Sequence, residues 1–332
     1  MTAQTTTQVT RATSAHTGRG TVLVVFASLS FGTSGPLAKP AMDAGLSPLQ
    51  VASVRIGLAA LVLLAVVAVW RPALLRVRRA DLRLLAGYGL AGVAAVQVLY
   101  FVAVSRIPIG IALLLEFTSP ILVALWVRFV RRTVLPARMW VGTVLALVGL
   151  AMVAQVWAGL GTLDALGMLA GIGAALCSAA YFLIGEHGVS TLEPLGLVTW
   201  GMVVGAVAIF VVAPPWSLPF ELFGAGADFG GWHAPVWLLL AACAVVSTAL
   251  AYLLSISALR DLPANVVSVL ALLEPVVATA MAWLLLGQAL TVAQLVGAAV
   301  LLSGATVVQL ASRAPVTQPD WTAISEASPH PR

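Results

Sequence analysis

Hydrophobic positions occur along the chain in long blocks that are separated by short polar links. The blocks recur from Thr21 to Ala311 and are close to the ~20 residues that a helix needs to cross a bilayer. They predict ten transmembrane helices and therefore an all-α polytopic membrane protein. The predicted helices cover residues 21–41, 48–70, 84–105, 108–130, 137–157, 166–186, 194–214, 234–257, 262–287 and 291–311. The longest link is 215–233.

An internal repeat organises these ten helices into two halves. An offset of 155 residues aligns several proline, leucine and glycine positions without a gap, and an offset of 146 aligns Pro48 with Pro194 nearer the start of each half. The aligned pairs at 155 are Pro108 with Pro263, Pro120 with Pro275, Leu135 with Leu290, Gly142 with Gly297 and Gly149 with Gly304. Because each half holds five helices, an odd number, the halves must cross the membrane in opposite directions. The glycines are expected to permit close helix packing.

Arginine sets the predicted orientation. The link between the second and third helices carries five arginines within 71–83, and the link between the fourth and fifth carries four within 128–138. The corresponding second-half links, 215–233 and 287–290, contain no lysine or arginine. The positive-inside rule therefore predicts that both arginine-rich links and both chain ends are cytoplasmic. The domains are then a disordered tail 1–20, repeats at 21–157 and 166–311, and a disordered tail 312–332.

Composition narrows the function classes. Hydrophobic residues make up 61% of the chain and charged residues 9%, against about 25% charged in soluble domains, and mean hydropathy is +1.05. The net charge of +5 comes from arginines in links between apolar runs, a pattern typical of membrane topology and not of nucleic-acid binding. Cys177 and Cys243 lie in apolar runs, so no disulfide, metal site or cofactor is predicted.

Two glutamates lie beside helix-breaking prolines inside apolar runs. The stretch LLLEFTSPILVAL (113–125) contains Glu116 and Pro120, and ALLEPVVATAMAW (271–283) contains Glu274 and Pro275. Intramembrane carboxylates are costly, and the prolines are expected to kink their helices and free backbone carbonyls. Each glutamate lies one helical turn from the symmetry position of the other. The pattern predicts a polar cavity between the halves, although a hydrogen-bonded packing role for either glutamate remains open.

Further polar residues are candidates for the same cavity. Lys39, the only lysine, lies late in the first helix, where it could bind substrate or anchor at the headgroups; Arg55 could bind substrate or pair with Asp43. Glu186 and His187 are assigned to an interfacial loop in preference to a proton relay. Uncharged residues that could complete the lining, or merely bond helices together, are Gln97, Tyr100, Thr118, Ser119, Tyr181, Thr248 and Tyr252.

The chain also resembles a known superfamily from about residue 21 to 311. The resemblance rests on FGTSGPLAKPAMDAGLSPLQVASVRIG, on TSPILVAL followed by WVGTVLALVGLAMV, and on LEPVVATAMAWLLLGQALTVAQLVGAAVLLSGATVV. These are similar to the drug/metabolite transporters, in the ten-helix EamA-type branch. Within it, IPIGIALLLEFTSPILVAL and STALAYLLSISALRDLP look most like bacterial threonine/homoserine exporters. The resemblance implies export of small polar metabolites across the inner membrane.

Inverted repeats indicate a secondary transporter with substrate near the midplane, and no GxxxxGK[ST] motif for nucleotide hydrolysis is present. A zwitterion needs a carboxylate near its ammonium, which Glu116 or Glu274 could supply, and a buried carboxyl can also carry a proton in antiport. A multidrug or other metabolite transporter on the same fold is the alternative. An enzyme is disfavoured because His16, His187, His233 and His330 fall in tails or links. The predicted partners are a small-molecule substrate and lipid, not nucleic acid, and a homodimer is left open.

Overall fold

The computed structural model describes residues 2–159, 164–229 and 232–313, and within them ten apolar helices are arranged as the sequence predicted. Nine are long and apolar enough to cross a membrane, and the remaining one, α5, is apolar but only 17 residues long. In chain order they are α1 Thr17–Asp43, α2 Pro48–Trp70, α3 Arg79–Val104, α4 Ile109–Val130, α5 Ala137–Val153, α6 Ala165–Val189, α7 Pro194–Val212, α8 Val236–Ala258, α9 Ala264–Leu285 and α10 Val292–Ser312.

The helical backbone that includes α1 begins at Thr2, so it runs back through residues that were predicted to form a tail. The other predicted tail falls almost wholly outside the described residues. The predicted boundaries of the two tails and the two repeats stay a prediction.

Three helices are interrupted where the sequence places a proline. Proline has no backbone N–H, so the carbonyl four residues earlier loses its usual helical partner. The breaks come two to four residues before Pro36, Pro120 and Pro275, and the sequence predicted kinks at the last two of these prolines. The resulting pieces are Thr2–Gly32 and Ser34–Asp43 in α1, Ile109–Glu116 and Ser119–Leu125 in α4, and Ala264–Leu270 and Leu273–Leu286 in α9.

Helices α3 and α8 each contain a π-helical turn, a rare feature that often occurs at functional sites. In α3 the turn is Leu90–Ala95, between Leu82–Gly89 and Val96–Val104. In α8 it is Val245–Leu250, between Val236–Ala244 and Ala251–Ala258, so both of its ends lie 155 residues after those in α3. The internal repeat therefore extends to the irregularities of the backbone. A further π turn, Trp126–Val130, ends α4.

The two halves pack as an inverted repeat. Helix α1 contacts α8, and α3 contacts α6. The counterpart of α1 in the second half is α6, and the counterpart of α3 is α8, so each of these two contacts is the symmetry copy of the other. Helices α2 and α7, α4 and α9, and α5 and α10 meet their own counterparts. Every one of these contacts joins a helix of one half to a helix of the other half. All five helices of each half therefore take part in the interface between the halves.

Glycine lets α5 and α10 approach until their backbones touch. A Cβ added to Gly142 would lie 2.8 Å from the carbonyl oxygen of Gly304, and one added to Gly297 would lie 2.8 Å from that of Gly149. Real Cβ atoms essentially never come so close. The close packing predicted for these four glycines is confirmed.

Contacts between links show which helix ends lie together. At one end, called the arginine end, Arg71 pairs with Glu193 at 3.6 Å, and Arg260 Nη2 donates to Leu192 O at 3.4 Å. At the other end, called the opposite end, Gln50 Nε2 donates to Ser217 O at 3.1 Å. The helices therefore alternate in direction.

The remaining elements are short. One-turn 3₁₀ helices are Pro72–Leu75, Arg79–Asp81, Val156–Gly159, Pro215–Ser217 and Phe220–Gly224. The antiparallel strands β1 (Gly226–Phe229) and β2 (Trp232–Pro235) pair with Gly226 opposite Pro235. The second strand extends two residues beyond the long link 215–233, into the segment 234–257 that was predicted to be helical.

Candidate functional site

A cavity of about 460 Å³ lies between the two halves. Helices α1, α2, α3 and α4 of the first half and α6, α8 and α9 of the second half line it. This volume falls in the usual range for small-molecule sites, and its position at the junction of inverted repeats is typical of transporter sites.

The cavity reaches the opposite end of the bundle. Its lining includes Met42 and Pro48, beside the link between α1 and α2, and Val104 and Ile109, beside the link between α3 and α4. Both links lie at the opposite end. The site is therefore accessible from that side.

Seven of the eight residues predicted to bind substrate line this single cavity. They are Arg55, Gln97, Tyr100, Glu116, Tyr181, Tyr252 and Glu274. Lys39 does not line it. Its Nζ instead donates to both carboxylate oxygens of Asp43, at 2.9 and 2.8 Å, one turn later on the exposed face of α1. Lys39 is therefore the one predicted binding residue that lies outside the cavity lining.

The two glutamates occupy opposite kinds of helix end. Glu116 is the last residue of the first piece of α4, where the helix dipole is negative, and Glu274 is in the first turn of the second piece of α9, where it is positive. Both carboxyl groups interact electrostatically with Arg55 and with each other. Among the described lining residues, no Asp, Glu, Lys or Arg side chain occurs besides these three.

A serine of the broken first helix holds Arg55. Arg55 Nη1 donates to Ser34 Oγ at 2.6 Å, and Ser34 Oγ is 3.9 Å from Cys243 Sγ. The suggested pairing of Arg55 with Asp43 is wrong, because Lys39 on the same helix holds that carboxylate. Sequence reasoning missed Ser34, although Pro36 two residues later was the signal that the helix breaks there.

Aromatic side chains form a wall of the cavity. The rings of Tyr181 and Tyr252 are 5.5 Å apart, and Phe31 packs edge-on against Tyr252 at 5.2 Å. Tyr252 Oη donates to Gly92 O in the π turn of α3 at 3.3 Å. Gln97 lies 155 residues before Tyr252, so the two halves place different polar groups at one symmetry position.

The uncharged candidates divide into lining and structural residues. Ser119 lines the cavity and accepts from Ser178 Oγ at 3.1 Å. Thr118 and Thr248 do not line it, and their hydroxyls donate to carbonyls of their own helices, those of Leu115 and Cys243. In the described residues no three His, Cys, Asp or Glu side chains are grouped as a metal site.

The arginine end is closed beneath the cavity by a contact called the Glu186 latch. Glu186 of α6 accepts one hydrogen bond from Arg131, at the end of α4, and another from the backbone N–H of Ala264, the first residue of α9, at 2.8 Å. The Glu186 side chain is 18% exposed. One carboxylate thus joins three helices from both halves, which is more specific than the interfacial role predicted for it.

Comparison with known proteins agrees with this architecture. The family model described as "EamA-like transporter family" matches residues 18–155 and 165–310, one match for each half. The threonine/homoserine exporter RhtA of Escherichia coli strain K12 is 34% identical over 279 residues, which cover 82% of this chain and 85% of that protein. The exporter of the same name from Salmonella typhimurium strain SL1344 is 33% identical over 275 residues, which cover 81% and 83%.

A solved crystal structure also shares the fold, with a TM-score of 0.73 at 18% identity, covering 89% of this chain and 97% of that one. The two family matches coincide with the two five-helix halves that surround the cavity. The relatives cover most of the chain, and the family matches include the charged residues of the cavity. The chain therefore belongs to the EamA-like transporter family.

Proposed function

We propose that this protein exports small zwitterionic amino acids of the threonine and homoserine type across the bacterial inner membrane by alternating access. The observation that carries the proposal is the convergence of Arg55, Glu116 and Glu274 on one cavity between the inverted halves. The identity to the threonine/homoserine exporters supports the substrate class.

The charges suit the two ends of an amino acid. Glu116 combines a carboxyl group with the negative end of a half-helix, and the nearby Pro120 leaves the carbonyl of Glu116 without its usual helical donor. These groups would attract an ammonium. The guanidinium of Arg55 can bind a carboxylate through two parallel hydrogen bonds. Ammonium and carboxylate of one substrate can therefore be held at once.

The balance of charge also suits coupling to protons. The cavity holds two carboxyl groups and one guanidinium among its described lining residues. When Arg55 binds the substrate carboxylate, it no longer neutralises a glutamate to the same degree. One glutamate can then bind the ammonium while the other carries a proton in the reverse direction, which would make the transporter a proton antiporter.

Closure at one end and access at the other support alternating access. In this conformation the cavity reaches the opposite end, and the Glu186 latch joins the helices at the arginine end. The reverse conformation requires that latch to open and the opposite end to close. Inverted repeats permit this exchange because each half can adopt the shape of the other.

A lipophilic drug is the other candidate cargo, and the charges disfavour it. A large hydrophobic cation would meet the glutamates but also the guanidinium of Arg55, which repels it. The aromatic wall of Phe31, Tyr181 and Tyr252 would suit such a cargo. Cargo identity therefore has to be measured.

Counterflow in proteoliposomes tests the substrate class. Vesicles loaded with unlabelled threonine should accumulate labelled threonine and labelled homoserine. Threonine amide lacks the carboxylate and N-acetylthreonine lacks the ammonium, so neither should compete for the site. Exchange of hydrophobic cations without exchange of threonine would replace this proposal by the drug-exporter alternative.

We also propose that the arginine end and both chain ends face the cytoplasm, as the arginine-rich links require. In a protein with Cys177 and Cys243 replaced, a cysteine at Gly226 should react with an impermeant reagent from outside intact cells, and one at Arg78 should not. Both positions lie in links, at opposite ends of the bundle. The reverse labelling pattern would invert the assignment. A homodimer stays a prediction.

A further inference from the structure

Three of the four tyrosines in the chain form one buried cluster at the inner end of the cavity. The ring of Tyr181 is 5.6 Å from that of Tyr88 and 5.5 Å from that of Tyr252. Tyr181 and Tyr252 line the cavity, whereas Tyr88 lies behind them, one turn before the lining part of α3 and nearer the arginine end. Tyr88 is therefore on the path between the cavity and the arginine end.

Two hydroxyls of this cluster have no hydrogen-bond partner of good geometry among the described residues. They are Tyr88 Oη and Tyr181 Oη, although the hydroxyls of Tyr88, Tyr181 and Ser255 are close enough to interact. Tyr88 is fully buried and Tyr181 is 7% exposed. Tyr252, by contrast, is satisfied by the Gly92 carbonyl. Buried hydroxyls usually make hydrogen bonds of good geometry, so this group of hydroxyls has hydrogen-bonding capacity that a polar ligand could use.

Packing fixes Tyr88 in this position. Its ring lies against Gly201 of α7, where an added Cβ would overlap the ring, and near Gly185 of α6. Around Gly185 the neighbours are Ile256 and Leu259, both apolar. The Tyr88 hydroxyl thus belongs, with those of Tyr181 and Ser255, to a small polar group inside the hydrophobic core between the cavity and the arginine end.

We propose that the hydroxyls of Tyr88 and Tyr181 form a second binding station for the substrate's charged groups, occupied when the transporter opens at the arginine end. A zwitterion that crosses an apolar barrier loses its hydration without compensation. A tyrosine hydroxyl can donate to a carboxylate and accept from an ammonium, so it can serve either group. The station rests on the proposed export of amino acids and adds a site that is used from one face only.

The test compares the two faces of the membrane. Threonine transport by wild type and Tyr88→Phe is measured in right-side-out and inside-out vesicles, so that each face meets the substrate in turn. We expect the KM at the arginine-end face to rise about tenfold for Tyr88→Phe, the loss of roughly one hydrogen bond to a charged group. The KM at the opposite face should stay the same. The thermal midpoint should change little, because no hydrogen bond of good geometry is lost in this conformation.

Tyr181→Phe provides a second variant, for which the KM should rise at both faces, because Tyr181 also lines the cavity that is open at the opposite end. Thr199→Val is the matched control, because it also removes a buried hydroxyl, one bonded within its own helix to Leu195 O, and should leave both KM values unchanged. Tyr88→Phe with wild-type KM on both faces, or with equal increases on both faces and a lower thermal midpoint, would overturn the station alone. Wild-type vesicles that move no threonine would overturn the exporter proposal as well.

Discussion

Glu116→Gln should lower threonine counterflow about ten- to hundredfold, while the protein inserts normally and stays monodisperse in detergent. Glutamine keeps the shape and the hydrogen-bonding capacity of the side chain but removes the negative charge. A hydrogen bond to a charged group contributes roughly 1.5–3 kcal/mol, and 1.4 kcal/mol is a factor of ten. A glutamate that serves only packing would tolerate the change. Counterflow at equal reconstituted protein is the measurement.

Glu193→Gln is the control for that experiment. Glu193 pairs with Arg71 at the arginine end and is 45% exposed, so the same chemical change there should leave transport near wild type. Glu274→Gln should reduce transport less than Glu116→Gln, because Glu274 lies at the positive end of its half-helix and attracts an ammonium less strongly. Wild-type rates for Glu116→Gln would place the ammonium site elsewhere.

Glu186→Ala should shift the transporter away from the conformation described here. The substitution removes the bonds to Arg131 and to Ala264 N, which join α4, α6 and α9 at the closed arginine end. The carboxylate is mostly buried and charge-assisted bonds are the strong ones, so we expect at least about a tenfold change in the equilibrium between conformations. Glu186→Gln should have a smaller effect, because an amide can still accept from Ala264 N.

A cysteine at Gly35 reports this shift. Gly35 lines the cavity and has open space around the position of an added Cβ. In a background without Cys177 and Cys243 it should react with an impermeant maleimide from the opposite end, and Glu186→Ala should slow that reaction. Arg106→Gln serves as the control, because it breaks the exposed pair with Asp164 at the opposite end, which contributes little. An unchanged rate in Glu186→Ala would mean that the latch does not govern opening.

Local sequence signals determined most of this fold. Long apolar blocks gave the ten helices, and arginine-rich links gave their alternation, because bilayer thickness and charge act on short segments independently of tertiary contacts. The prolines at 36, 120 and 275 coincide with the breaks for the same reason, since a missing N–H is a local defect. The cavity residues could be predicted because a charge inside an apolar run needs a polar environment.

The parts that failed have different causes. The partner of Arg55 is Ser34, which reaches it only because α1 breaks at Thr33. Lys39 could have been assigned correctly, since Asp43 four residues later is the usual spacing of a helical ion pair. Tyr88 had no sequence signal at all. An aromatic residue in an apolar helix looks like packing until its hydroxyl is seen beside other buried hydroxyls.

The paired π turns carry information about the history of the chain. A π turn inside a helix holds one residue more than an α turn, and an insertion of that kind in only one half would put the rest of its helix out of step with the counterpart helix. The turns in α3 and α8 instead begin and end at positions 155 residues apart, and the downstream prolines and glycines keep the same separation. The simplest account is that the extra residue was already present in a five-helix ancestor before its gene was duplicated and fused.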